Sequence, residues 1–169
     1  MILLAAVLLF ACASTTPKQA TASNTATIPL AVTTTPTTPT AVYADEEVEV
    51  KNLVENFGTK LQNVSLQAPN AAQEIRKQYS EFVTPALLEM WSSDVSKAPG
   101  RIVSSPWPDH IEITSLSKED SERYEINGFV VELTSSEVVN GGTAVKIPVR
   151  ILIQNDQGRW LITEYAEEK

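Results

Sequence analysis

One cysteine and one histidine in 169 residues leave this chain little reactive chemistry. Cys12 has no second cysteine to close a disulfide with, and a zinc site needs about three or four ligands that the chain does not offer. His110 lacks a second histidine to complete a nucleophile–base pair, so no catalytic residue is assigned. Asp109, Asp120 and Asp156 stand singly, without the alternating acidic spacing of a calcium loop, and no metal or other cofactor is implied. No apolar run reaches the ~20 residues that cross a bilayer as a helix. Acidic residues are missing from the first 44 positions: all 21 lie at or after Asp45, where twelve basic residues leave a formal −9 on 45–169. A domain so charged is repelled by phosphate backbones and anionic headgroups, which excludes nucleic acid as a partner.

What is present begins with Ile2 to Ala11, ten apolar residues delivering Cys12. That length suits a signal-peptide core. Leu9-Phe10-Ala11-Cys12 resembles the bacterial lipobox, in which the cysteine thiol is acylated before cleavage on its amino side. Phe10 is bulkier than the usual residue there, and the lack of a basic residue ahead of the run implies a start upstream of Met1. Ala11-Cys12-Ala13 also fits ordinary signal peptidase, and an unprocessed hydrophobic anchor is the third reading. The leading expectation is lipid attachment at Cys12, on two or three acyl chains, each buried CH₂ contributing ~0.8 kcal/mol. The protein is then extracytoplasmic, held on the membrane of a bacterial envelope.

Between Thr15 and Thr40 stand eleven threonines and four prolines, with Lys18 the one charge and no aromatic residue. Such a segment cannot bury enough apolar area to offset backbone ordering, so residues 13–44 read as a solvated tether. The 125 residues from Asp45 suit one domain.

That domain changes period partway. Asp45 is the expected N-cap of a first helix whose apolar face is Val50, Leu53, Val54, Phe57, Leu61 and Val64, with Gly58 marking close packing. Asn70-Ala71-Ala72-Gln73 has capping-box spacing and opens a second helix, with Ile75, Tyr79, Phe82 and Val83 inward. Thr84-Pro85 starts a short third helix carrying Trp91, and Pro99-Gly100 ends regular structure. From His110 the period becomes two. Ile111 and Ile113 alternate with polar residues, then Tyr124 and Ile126 face one way. After Asn127-Gly128 the apolar set becomes Phe129, Val131 and Leu133, which predicts a bulge in that strand. Asn140-Gly141-Gly142 and Asn155-Asp156-Gln157-Gly158 read as hairpin turns. Val145 to Ile153 alternate strictly, and a last strand runs from Arg159 to Tyr165. Helices followed by a bent antiparallel sheet of about four strands make an α+β domain with helices on one face.

This order, closing on Gly158-Arg159-Trp160-Leu161-Ile162-Thr163-Glu164-Tyr165, resembles the nuclear transport factor 2-like superfamily over roughly residues 45–169. The resemblance implies a sheet curled around the helices into a cone. It leaves function open, since such folds include isomerases, dehydratases, hydrolases and non-catalytic modules.

His110 and Asp109 are neighbours in a strand, so their side chains are expected on opposite faces, with His110 in solvent. Lys60 and Lys146 are conceivable bases that nothing in their spacing favours. Arg101 and Trp107, in the proline-rich segment before the first strand, are candidates to hold an acidic or planar ligand at the cone mouth. Structurally, Trp107 would instead pack the segment on the sheet and Arg101 pair with Asp94 or Glu164. Tyr124 and Tyr165 are further candidate ligand contacts, and Trp91 and Trp160 are expected in the core. The leading function is an exported lipoprotein carrying a non-catalytic binding or protein-interaction domain. Its partners would be the membrane through Cys12 and an envelope protein or small-molecule ligand. The alternatives are a small-molecule isomerase or hydrolase using Tyr79, Tyr124 or Tyr165 with a buried carboxylate, and a structural protein that dimerises through the sheet.

Overall fold

The computed structural model describes residues 40–168, with side chains from Asp45 onward. The export segment with Cys12 and the threonine–proline tract to residue 39 lie outside the described residues.

Helix α1 spans Thr40–Gly58. It starts five residues ahead of Asp45, which is therefore not its N-cap; Ala41 to Ala44 contain nothing that stops a helix. Val50, Val54 and Phe57 are wholly buried, and Leu61 and Val64 remain so beyond the helix, in and after a short 3-10 turn. Gly58 lies so close to β1 that a Cβ there would sit 2.7 Å from the Ile111 nitrogen. Helix α2 (Ala71–Tyr79) begins without the expected capping box: the Asn70 side chain makes no cap bond and reaches Glu74 instead, at 3.5 Å. Helix α3 (Pro85–Ser93) starts as its sequence predicts, the Leu87 N–H donating to Thr84 Oγ1 at 3.4 Å.

Four antiparallel strands follow in the order β1-β2-β3-β4: Trp107–Asp120, Arg123–Leu133, Val145–Asp156 and Arg159–Glu167. The chain is α+β, its first three helices preceding the sheet, in the order that the nuclear transport factor 2-like resemblance implied. The predicted turn at Gln157-Gly158 is there. Both residues have positive φ, 54° and 87°, as a tight hairpin turn of type I′ needs. The turn predicted at Asn140-Gly141-Gly142 is not a simple hairpin. A short helix α4 (Ser135–Asn140) intervenes, opened by a capping box that Thr134 and Glu137 complete.

The expected bulge exists but on the neighbouring strand. β2 pairs with β3 without interruption from Arg123 to Glu132, and Tyr124, Ile126, Gly128 and Val130 point inward in one unbroken phase. Opposite Asn127 and Gly128, β1 carries the extra residue, Thr114. β4 carries one too, Thr163, between Ile162 and Glu164. A bulge bends its strand and disturbs the local ladder. At both sites the threonine hydroxyl donates to a carbonyl of the facing strand: Thr114 to Asn127 at 2.9 Å, and Thr163 to Leu152 at 3.2 Å.

The bent sheet packs against α1 and α3, with Phe57 at the centre of the interior. Its ring is 5.1 Å from Tyr79, 5.9 Å from Tyr165 and 6.3 Å from Trp91 between centroids. The link between α2 and α3 covers the outer edge of β4, where Thr84 N–H donates to Ile162 O and Ile162 N–H to Phe82 O, both at 2.9 Å. Trp91 and Trp160 are core residues, as expected. On the outer face, Lys146 meets Glu112 at 2.5 Å, while Arg150 reaches Glu125 at 3.1 Å and Glu164 at 3.5 Å.

Candidate functional site

The first residues of β1 and β3 and the last of β2 and β4 meet at one end of the sheet, beneath the loop from Gly100 to Pro106. A cleft of about 320 Å³ lies there, walled by Leu61, Ile102, Pro106, Pro108, Val130 and Ile147. That is near the lower limit for small-molecule sites. Two acids, Glu132 and Glu167, also line it.

Strand phase brings the acids together. In β2 the inward set Tyr124, Ile126, Gly128 and Val130 continues to Glu132, so an acid occupies the last inward position. In β4 the extra residue Thr163 resets the alternation, which then runs through Tyr165 to Glu167. Tyr165 Oη donates to Glu167 Oε1 at 2.8 Å and fixes that carboxylate. Burial, reinforced by the charge of Glu167, pushes the Tyr165 hydroxyl well above the ordinary tyrosine range. Burial raises the Glu132 carboxyl too, with Glu167 adding to it. Ionised Glu167 thus makes Glu132 harder to ionise.

The residues proposed from sequence do not converge. Arg101 is half-buried at the start of the loop, its N–H donating to Val64 O at 2.8 Å and its carbonyl accepting from Leu66 N–H at 2.9 Å. Its guanidinium is on neither expected carboxylate: Asp94 pairs with Lys97 at 3.2 Å and Glu164 with Arg150. Trp107 is half-buried and opens β1 opposite Leu133. Tyr124 lies towards the other end of the sheet, with its ring edge-on to Trp160 at 5.1 Å and its hydroxyl on Glu46 at 3.3 Å. Lys118 also meets Glu46, at 2.6 Å, and holds that carboxyl below its usual range. Of the four, Tyr165 alone touches a cleft acid. The third tyrosine considered, Tyr79, donates to the Pro99 carbonyl at 2.8 Å. Of the two lysines considered as bases, Lys146 is paired with Glu112 and Lys60 is half-buried beyond α1.

Asp109 and His110 correct an expectation. The β1–β2 register shifts between Pro108 and His110, Asp109 is the extra residue, and alternation fails across it. The two side chains therefore meet, Asp109 Oδ2 to His110 Nδ1 at 2.8 Å. His110 is exposed, as expected. The nearby Thr59 hydroxyl donates to Asn56 O at 2.8 Å and is not engaged with the imidazole.

Sequence reasoning missed Glu132 and Glu167. The signal for Glu132 was there: read without a break at Gly128, the inward series of β2 ends on an acid. Glu167 had no comparable signal, because its phase depends on the Thr163 bulge of β4.

No protein-family model matches the chain, and no curated protein matches it as a relative. Among solved structures it is similar to a designed nuclear transport factor 2-like protein, at 18% identity over 73% of this chain and 100% of that one, with a TM-score of 0.37. It is also similar to the intermembrane-space region of the chloroplast protein ARC6, at 13% identity over 73% of this chain and 94% of that one, with a TM-score of 0.35. Likenesses this distant carry no argument about what the chain does, and the fold stands on its own order of helices and strands.

Proposed function

We propose that this chain is an exported lipoprotein, acylated at Cys12, whose domain binds a ligand without transforming it in the cleft at the open end of the sheet. One observation supports the binding reading above others. The space inside the curve of the sheet is filled by the rings of Phe57, Tyr79, Trp91 and Tyr165, and the cleft lies outside it, at the rim. A reacting substrate would be better served by a closed, water-free site. The filled interior accords with a binding module, and Phe129, which the change of apolar phase at Gly128 had turned inward, lies on the outer face under the Lys146 ammonium. The apolar run ahead of Cys12, and the absence of any acid before Asp45, support export and a tether.

The enzyme alternative draws on the Glu132 carboxyl, raised by burial, beside the Tyr165–Glu167 pair, an arrangement of the kind a general base needs. It requires Glu132 to face an enclosed substrate.

Two measurements test the proposal. Cys12→Ala should move the protein from the detergent to the aqueous phase on phase separation; unchanged partitioning would end the lipid-anchor reading. A neutral, environment-sensitive dye should light up on binding the full chain bearing Cys12→Ala. Ile147→Trp should abolish that signal by filling the cleft while the melting temperature holds within a few degrees. Equal dye binding by the folded variant would place the ligand elsewhere.

A further inference from the structure

Several acids of this domain have cations close by. Glu46 meets Lys118, Glu89 meets Arg76, Glu112 meets Lys146, Glu125 and Glu164 share Arg150, and Asp94 and Asp120 meet Lys97 and Arg123. Glu132 and Glu167 belong with the acids that have no such partner, and what sets them apart is the apolar cleft that both line. Neither forms an ion pair among the described residues, and no basic side chain lines their cleft. Glu167 accepts one hydrogen bond, from Tyr165, while the Glu132 carboxylate accepts none from a described side chain. Two carboxylates thus face one apolar space with unspent negative charge.

From this juxtaposition we infer that the cleft takes a small organic cation, an ammonium group carried on a compact apolar body, with Glu132 and Glu167 receiving the charge and Ile102, Pro106, Pro108 and Ile147 the body. The inference rests on the cleft being the binding site, as proposed above. Its argument is complementarity. A neutral guest would leave two like charges facing each other across low-dielectric walls, and an anion would add a third; a cation relieves the repulsion and accepts charge-assisted hydrogen bonds. The other charged groups on the surrounding elements are directed to partners of their own: Lys146 of β3 to Glu112, Lys97 to Asp94, and His110 of β1 to Asp109. Arg101, the cation of the overlying loop, is not among the lining residues.

Three probes of one shape test this: cyclohexylmethylammonium, cyclohexylmethanol and cyclohexanecarboxylate, each titrated into the full chain bearing Cys12→Ala and followed by amide chemical shifts. The ammonium should bind about tenfold more tightly than the alcohol, as expected for a charge-assisted contact, and the carboxylate most weakly. Glu132→Gln and Glu167→Gln should each remove most of that preference and leave the alcohol's affinity unchanged. Because the Glu132 carboxyl titrates above the usual range, the ammonium should weaken as pH falls through that raised range while the alcohol stays level.

Equal affinity for ammonium and alcohol would overturn the cation and keep the cleft. No shifts from any probe, or shifts away from the cleft, would overturn both. A further arm uses a short lysine peptide. If it binds more tightly than the free amine and its flanking residues carry the gain, the source is a protein side chain and the small-molecule inference fails.

Discussion

Trp91→Ala should cost this domain about 3–5 kcal/mol of stability, the range found when a large buried aromatic side chain is cut to a methyl. Trp91 is 1% exposed. It lies near-parallel to Phe57 and meets Tyr79 and Tyr165 edge-on at 5.8 and 6.1 Å, geometries that add to plain burial. The surrounding rings belong to α1, α2 and β4, and backbone constraints on all three limit collapse into the void. Urea unfolding followed by far-ultraviolet circular dichroism gives the number directly. A loss under about 1 kcal/mol with an unchanged slope would show that the ring is not part of the core. The effect should also reach the cleft, because Tyr165 packs on Trp91 and its hydroxyl holds Glu167.

Gly128→Ala should cost about 2–3 kcal/mol, at the upper end of over-packing penalties. A Cβ on Gly128 would sit 2.3 Å from the Glu112 carbonyl oxygen and 3.3 Å from the Ile113 Cα. Both are backbone atoms of β1, beside the Thr114 bulge. A flexible side chain could swing aside, but here the strand itself must move. Its movement would strain the Thr114 hydroxyl bond to Asn127 and the register that turns Ile111 into the core. The expected signature is a lower denaturation midpoint together with amide shift changes concentrated on Glu112 to Ser115. A variant as stable as the native chain would mean that close approach at this point does not require glycine.

Much of the architecture was readable because it is local. Val50, Val54 and Phe57 recur at helical spacing, and such spacing gathers apolar side chains on one face whatever they later pack against. Thr84-Pro85 starts a helix because hydroxyl and ring act on their own backbone within one turn. Asp45 failed as a helix start for a related reason: a good cap cannot end a helix that its preceding residues are free to extend. Asn70 failed because its side chain turned to Glu74.

The bulges mark the limit. The change of apolar phase at Gly128 did announce an irregularity, but a bulge is an unequal count between two strands, and one strand's sequence cannot say which of them holds the extra residue. Placed on Thr114, it leaves β2 in a single phase, and Glu132 turns inward instead of out. The same physics brought Asp109 and His110 together, since the alternation meant to separate them breaks at an extra residue. Glu167 needed two facts from outside its neighbourhood, the Thr163 bulge and the curvature that carries the end of β4 towards the end of β2.

Composition and spacing by themselves determined the poverty of nucleophiles and metal ligands, the acidic charge confined to one part of the chain, the order of three helices before four strands, and the turn at Gln157-Gly158. Each depends on residues close in sequence or on simple sums over it. Tertiary structure alone decided that aromatic rings fill the interior, that the Thr114 bulge belongs to β1, and that Glu132 and Glu167 share a cleft. Those outcomes depend on pairing register across strands, where one extra residue exchanges inside for outside.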